Sequence, residues 1–156
     1  MILVLCGTQK QDFSRMINKV LQLAESHEIV VQSGHTAYVS GEVEIFDFLP
    51  ASKLDVLYKR ADIIITHAGA GSMFTAIKAG KKVLAFPRLA KFNEHVDDHQ
   101  LQLAKKLEEL GFLMVFNEDD DMISIYEQLV KFEPKPYDLT GNIVCAVDGL
   151  IANVLG

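Results

Sequence analysis

The sequence predicts a single α/β domain: a Rossmann-like parallel sheet with helices on both faces. Short runs of Val, Ile and Leu alternate with stretches whose apolar residues recur at helical spacing, which is typical of buried parallel strands joined by helices. Gly7 directly follows the first of these apolar runs, and Gly69 and Gly71 lie just beyond the fourth. At 156 residues, of which 49% are hydrophobic, the chain has room for one core. We therefore treat residues 1–156 as one domain.

The elements follow in order along the chain. Strands are predicted over residues 2–6, 28–32, 43–46, 63–66, 83–86 and 113–116. Helices are predicted over residues 13–24, 52–60, 72–79, 96–110 and 120–131, and a last helix over residues 140–156. That last helix is apolar on more than one face, so it either packs on its own domain or docks on a partner or on a second copy.

Composition excludes several classes of function. A net charge of −6 argues against nucleic-acid binding, which requires clustered Lys and Arg. No run approaches the ~20 apolar residues of a membrane span, and the first residues do not form a signal peptide. Cys6 and Cys145 lack a CxxC spacing and are predicted to be buried, reduced thiols. We expect a cytoplasmic protein.

The segment HAGAGS, residues 67–72, follows the fourth predicted strand. Ligands of parallel sheets bind beyond the carboxyl ends of the strands. We expect Gly69 and Gly71 to let the backbone turn sharply and expose its N–H groups, and Ser72 to cap the next helix. The partial positive charge of that helix end would attract an anion, most simply a phosphate. The alternative is a tight turn whose glycines serve packing alone.

Two common phosphate-binding motifs do not fit this segment. The dinucleotide fingerprint G-x-G-x-x-G requires glycine where Phe74 stands, which disfavours NAD. The motif G-x-x-x-x-G-K-[ST] requires glycine at Thr75 and a hydroxyl residue at Lys82, which excludes an ATPase loop. A similar turn, Gly7-Thr8-Gln9, follows the first strand. Two such turns at one edge of a sheet would hold a diphosphate from both sides.

The stretch from Phe46 to Gly111, together with the opening CGTQ, resembles the C-terminal half of family 28 glycosyltransferases. The segment PRLAKFNEHVDDHQ is most similar to the small subunits of two-component bacterial exopolysaccharide and capsule glycosyltransferases. The resemblance implies the fold of the C-terminal half of a GT-B enzyme and a UDP-sugar as donor substrate, with no further cofactor.

The resemblance also implies roles for individual residues. Contacts to the donor fall to Gly7, Thr8, Gln9, Phe48, Leu49, His67, Ala68, Gly69, Ala70, Gly71, Ser72, Thr75, His99 and Gln100. Within this set, Phe48 and Leu49 would contact uracil, while His99 and Gln100 would read sugar hydroxyls. The structural alternatives are Phe48 in the core and His99 bracing its own helix. Thr75 stands where relatives carry a ribose-binding glutamate, which leaves ribose recognition open.

His95 and His99 would share a metal if both lay on one helix, with Asp98 or His67 as a third ligand. The spacing is not H-E-x-x-H. Since helix dipoles and N–H donors can neutralise a leaving diphosphate, we predict no metal.

The resemblance covers only the donor half of a two-domain enzyme. It implies a membrane-associated partner subunit that supplies the acceptor half, binds a lipid-linked sugar acceptor and recruits this chain to the inner face of the membrane. We expect the catalytic base on that partner, with Glu94 and His95 as candidates from this chain unless they are solvent-facing charges. The predicted function is hexosyl transfer from a UDP-sugar in exopolysaccharide or capsule synthesis. The alternative is a non-catalytic module that stabilises a partner glycosyltransferase.

Overall fold

A computed structural model describes residues 1–138 and 148–149 of the chain. Six parallel strands form one sheet in the order β3-β2-β1-β4-β5-β6. The strands are β1 (Ile2–Leu5), β2 (Ile29–Gln32), β3 (Glu44–Phe46), β4 (Ile63–Thr66), β5 (Lys82–Ala85) and β6 (Met114–Val115). The prediction of a parallel α/β sheet is thus confirmed. The predicted helix over 140–156, apart from residues 148–149, lies outside the described residues.

The strand order reverses between β1 and β4, which lie side by side in parallel register with Leu5 opposite Thr66. The chain leaves β1 toward β2 on one side and leaves β4 toward β5 on the other side. In open parallel sheets this reversal opens a crevice outside the carboxyl ends of the two strands. The Gly7 turn and the HAGAGS turn follow these same two strands, so the predicted pairing of the turns is confirmed.

Within residues 1–138, four α-helices lie between strands and a fifth follows β6. They are α1 (Ser14–Val20), α2 (Ala51–Arg60), α3 (Ala70–Lys78), α4 (His99–Glu109) and α5 (Met122–Lys131), and a 3₁₀ turn over Leu21–Leu23 extends α1. The predicted start of α4 at residue 96 is wrong. The Asp97 carboxylate accepts a hydrogen bond from the His99 N–H at 3.0 Å, and such a local side-chain bond competes with helix formation before it.

Alternate strand residues pack against opposite helical layers. Leu3 and Leu5 belong to the core beneath α2, α3 and α4. Ile2 and Val4 belong to the core beneath α1 and α5. Successive strand side chains point to opposite faces, so each strand contributes to both cores. The sheet is therefore covered on both faces, as the apolar runs predicted.

Arg88, in the segment after β5, is 1% exposed and joins that segment to the loop between β1 and α1 at the carboxyl edge of the sheet. Its guanidinium donates hydrogen bonds to the backbone carbonyls of Gln11 at 2.8 Å, Cys6 at 2.8 Å and Glu94 at 3.1 Å. It also stacks over the Phe13 ring, 4.4 Å from the centroid. Burial lowers the pKa of Arg88, but these carbonyls stabilise the charge where it lies.

Cys6 confirms the prediction of a buried thiol, since it is fully buried and burial raises its pKa to about 12. Cys145 lies outside the described residues. Among residues 1–138 and 148–149, no helix is both long and apolar enough to cross a bilayer.

Replacing Arg88 by Lys is expected to destabilise the fold by about 3 kcal/mol, because one ammonium cannot reach all three of these carbonyls on two loops. The measurement is urea unfolding at neutral pH. The control is Arg60→Lys, since Arg60 is 55% exposed and pairs with an exposed Glu28, so it should change stability by less than about 1 kcal/mol. Equal losses in the two variants would contradict a bridging role for Arg88.

Candidate functional site

The turn between β4 and α3 is shorter than the sequence predicted, because α3 begins at Ala70 and not at residue 72. The left-handed residue is Ala68, with φ of 63° and complete burial. Gly69 has φ of −70° and is the N-cap of α3, so Ser72 is the third residue of the helix and not its cap. The expectation that Ser72 caps the helix is therefore wrong. The left-handed angle that turns the chain belongs to Ala68, and not to Gly69 or Gly71 as expected.

The N-terminus of α3 is open at the crevice. No side-chain hydrogen bond to a described residue caps it, and the first helical hydrogen bond runs from the Met73 N–H to the Gly69 carbonyl at 3.0 Å. The N–H groups of Ala70, Gly71 and Ser72 precede that bond and have no partner inside the helix. A Cβ on Gly71 would meet no described atom within 4 Å. The positive end of the helix dipole therefore faces free space.

The His67 ring lies between the two glycine turns and explains why glycine occupies both. A Cβ on Gly7 would lie 2.5 Å from His67 Nε2, and a Cβ on Gly69 would lie 2.1 Å from the same atom. Gly7 is also in the left-handed region, with φ of 79°. The lack of a Cβ at these two positions is thus required by packing against one imidazole.

His67 is held as a neutral ring. Its Nδ1 lies 3.2 Å from the Leu5 carbonyl oxygen and donates to it as an N–H, which leaves Nε2 as an acceptor. His67 is 7% exposed, and burial lowers its pKa to about 4. An uncharged acceptor suits a hydroxyl donor better than a phosphate oxygen.

The turn after β1 is fixed by Gln32, which the sequence analysis did not single out. The Gln32 amide accepts from the Gly7 N–H at 3.1 Å and donates to the carbonyls of Gly7 at 3.2 Å and Asp47 at 2.9 Å. Gly7 therefore contributes close packing, and its N–H is not free for a phosphate. Thr8 and Gln9 extend beyond this anchor as exposed residues. A buried glutamine at the end of a predicted strand was the signal that could have revealed Gln32.

A groove of about 310 Å³ runs between α2 and α3 from the open helix end. Its lining residues are Ala51, Leu54, Asp55, Tyr58, Gly71, Ser72 and Thr75.

Phe48 and Leu49, the residues predicted to contact uracil, do not line this groove. Phe48 is 50% exposed and packs edge-on against the His35 ring at 5.2 Å, so it does not lie in the core. The residues of α2 that line this groove were missed because they resemble an ordinary exposed helix face.

Glu94 is 3% exposed, so its interpretation as a solvent-facing charge is wrong. Its carboxylate accepts from Arg15 Nε at 2.7 Å, from the second Arg15 nitrogen at 2.8 Å and from the Leu89 N–H at 3.0 Å. These bonds hold the carboxylate in place. The pair lines a hollow of about 570 Å³ against α1, and neither glycine turn lines this hollow.

His95 precedes α4 and His99 begins it, so the two histidines do not share a helix face as a metal pair would require. Both flank Asp97: His95 Nδ1 and His99 Nδ1 each lie 3.3 Å from a carboxylate oxygen. In the described part of the chain, no three His, Cys, Asp or Glu residues group as metal ligands would. The neighbouring Gln100 has a buried side-chain oxygen with no protein partner among the described residues.

Gly69→Ala is expected to destabilise the fold by about 1–3 kcal/mol, because the new methyl group collides with His67. Gly71→Ala is its matched control two residues away. That change should stabilise the protein by about 0.5–1 kcal/mol, since the helix loses a flexible residue and the methyl group meets open space. Thermal unfolding of both variants measures the difference. Similar shifts in the two would contradict the placement of His67.

His67 makes stability depend on pH with a defined sign. Between the usual histidine pKa near 6.5 and the folded value of about 4, only the unfolded chain takes up the proton. Stability is therefore complete above pH 6.5, falls as pH decreases, and loses on the order of 3 kcal/mol by pH 4. An NMR titration of the ring Cε1 proton, assigned through His67→Gln, should give a midpoint near 4. A midpoint near 6.5 would contradict the buried, neutral ring.

Known proteins resemble the chain in sequence. It is 25% identical over 105 residues to UDP-N-acetylglucosamine transferase subunit ALG13 of Candida glabrata, covering 67% of this chain and 49% of that protein. It is also 26% identical over 140 residues to the UDP-N-acetylglucosamine–N-acetylmuramyl-(pentapeptide) pyrophosphoryl-undecaprenol N-acetylglucosamine transferase of Aquifex aeolicus. This match covers 83% of this chain and 40% of that protein. The chain thus spans about half the length, or less, of these two relatives.

Solved structures share the fold. The chain superimposes on the NMR structure of ALG13 with a TM-score of 0.63 at 17% identity, covering 99% of this chain and 96% of that one. It superimposes on the calicheamicin glycosyltransferase CalG4 with a TM-score of 0.62 at 18% identity, covering 99% of this chain and 39% of CalG4. The prediction that the fold equals one half of a GT-B glycosyltransferase is confirmed. Residues 1–139 match the family model of the glycosyltransferase family 28 C-terminal domain, and the chain belongs to this family.

Proposed function

We propose that the chain is the donor-binding, catalytic subunit of a bipartite inverting glycosyltransferase. It transfers a hexose from a UDP-sugar to a lipid-diphosphate-linked sugar in exopolysaccharide or capsule synthesis. The observation that carries this proposal is the uncapped N-terminus of α3 at the β1–β4 crevice. Free N–H groups and a positive dipole end suit a diphosphate, and they are in place before the ligand arrives.

The donor lies along the carboxyl edge of the sheet. Its diphosphate sits on the N–H groups of residues 70–72, with Thr8 and Gln9 on the other side. The neutral His67 accepts from a hydroxyl of the donor. Gln100 supports a contact to the sugar, because a buried amide oxygen without a protein partner gains most from a hydroxyl donor. Helix dipoles replace a metal in neutralising the leaving diphosphate, so no cofactor is needed.

The acceptor half comes from a membrane-associated partner, which also brings this chain to the inner face of the membrane. Support comes from the ALG13 relatives, which are named as a transferase subunit, and from the A. aeolicus enzyme, of which the chain covers only 40%. The three bonds that hold Glu94 favour a catalytic base on the partner, leaving His95 as the candidate from this chain. UDP-N-acetylglucosamine is the first donor to assay, since both relatives are named for it or its transfer.

Binding of UDP, measured by calorimetry, tests the donor site. Gly71→Glu places a carboxylate where the diphosphate would lie, so the dissociation constant is expected to rise at least about tenfold. The melting temperature should not fall, since an acid in the first turn of a helix is favourable and a glycine is removed. The control is Gly41→Glu, a change at another exposed glycine whose Cβ would meet nothing within 4 Å, and it should leave binding unchanged.

The outcome separates the enzyme from the alternative, a non-catalytic module that stabilises its partner. Absence of UDP binding, even with the partner present, would favour the module. Binding followed by turnover in a panel of UDP-sugars with the partner and a lipid-linked acceptor would support the enzyme and name the sugar.

A further inference from the structure

The groove between α2 and α3 begins where the proposed diphosphate site ends. Gly71 and Ser72, at the open end of α3, line it together with Thr75. Thr75 is one turn further along, about 6 Å from Gly71 along the helix axis. A group attached to a phosphate at the helix end and directed into the groove therefore reaches Thr75 within the length of one sugar ring.

The hydroxyl groups that α3 presents to this groove belong to Thr75 and Ser72. The Thr75 hydroxyl donates to the Gly71 carbonyl of its own helix at 2.8 Å. The Ser72 side chain lies beside Tyr58, a residue of α2 that is 8% exposed. Each hydroxyl oxygen keeps lone pairs that can accept a hydrogen bond, but neither carries a charge.

Asp55 supplies the carboxylate of the groove. It lies on α2 and lines the groove together with Thr75, and both also line its continuation of about 330 Å³ toward Lys59, Ala79 and Lys81. Its side chain is exposed and forms no hydrogen bond or ion pair with any described residue. Leu54 and Ala51 provide the apolar part of the same wall. The groove therefore combines an apolar surface with one unengaged anionic acceptor.

We propose that Asp55 binds the ribose hydroxyls of the donor nucleotide and selects ribonucleotides over deoxynucleotides. A vicinal diol donates two hydrogen bonds, and an ionised carboxylate accepts both. Leu54 and Ala51 then cover the adjoining face of the nucleoside. This assignment rests on the proposed function, because the diphosphate at the end of α3 is what directs the ribose into the groove.

Because Asp55 is charged, the direction of the change in UDP affinity on its removal tests the assignment. A carboxylate near a diphosphate repels it through space, so a carboxylate with no ligand contact weakens binding, and its removal tightens binding. A carboxylate bound to the ribose does the opposite, because its removal costs two charge-assisted hydrogen bonds. The two roles predict opposite changes in UDP affinity for one substitution.

The experiment measures dissociation constants of the full chain, with its partner if binding requires it, for UDP, 2′,3′-dideoxyuridine diphosphate and inorganic pyrophosphate. The wild-type chain is expected to prefer UDP over the dideoxy analogue by about tenfold to a hundredfold, the value of hydrogen bonds to a charged acceptor. Asp55→Asn should weaken UDP binding by a similar factor and reduce that preference to about threefold or less. Its affinity for pyrophosphate should be unchanged or higher.

Asp119→Asn is the matched control, since Asp119 is exposed and lies outside the groove. It should leave all three constants unchanged, and equal melting temperatures would confirm that both variants fold. Tighter UDP binding by Asp55→Asn, or a preference for UDP that survives it, would overturn the role of Asp55 while leaving the donor site intact. Failure of the wild-type chain to bind either UDP or pyrophosphate would instead overturn the proposed function.

Discussion

The contact between His67 and the last carbonyl of β1 is the constraint on which the site depends. Both the backbone N–H and the ring Nδ1 of His67 lie near the Leu5 oxygen, at 3.0 Å and 3.2 Å. This contact ties the residue after β4 to the end of β1 and places the ring where a Cβ at either glycine turn would collide with it. Gly69, two residues after His67, is the N-cap of α3, so the helix begins directly beyond the ring and its end faces the crevice.

A polar network behind the crevice holds the loops that the hydrophobic core cannot reach. Arg88 binds three carbonyls on two segments, Gln32 fixes the turn after β1, and Arg15 holds Glu94. Burying such groups costs free energy that their hydrogen bonds largely return. The gain is rigidity, because donors that are already oriented pay little reorganisation energy when an anion binds.

Local N–H donors and a helix dipole allow a chain with a net negative charge to bind an anionic ligand. The net charge is −6, yet the crevice presents backbone N–H groups and a helix dipole at the point proposed for the diphosphate. Local donors act over a few ångströms, whereas the scattered surface carboxylates are screened by solvent and salt. Asp55 is the exception that lies close by, and a carboxylate there is favourable only when it faces a hydroxyl donor.

Sequence alone determined the fold class, the strand and helix segments to within a few residues, the pairing of the two glycine turns, and the family. Apolar periodicity and local turn chemistry encode these features, and both act between neighbours in the chain. Tertiary structure alone decided that His67 is the reason for Gly7 and Gly69, that Gln32 occupies the Gly7 N–H, that Glu94 is buried against Arg15, and that Asp55 lines the groove with Thr75. These are contacts between residues far apart in the chain, and the side chains involved have the same local pattern whether they meet a partner or water.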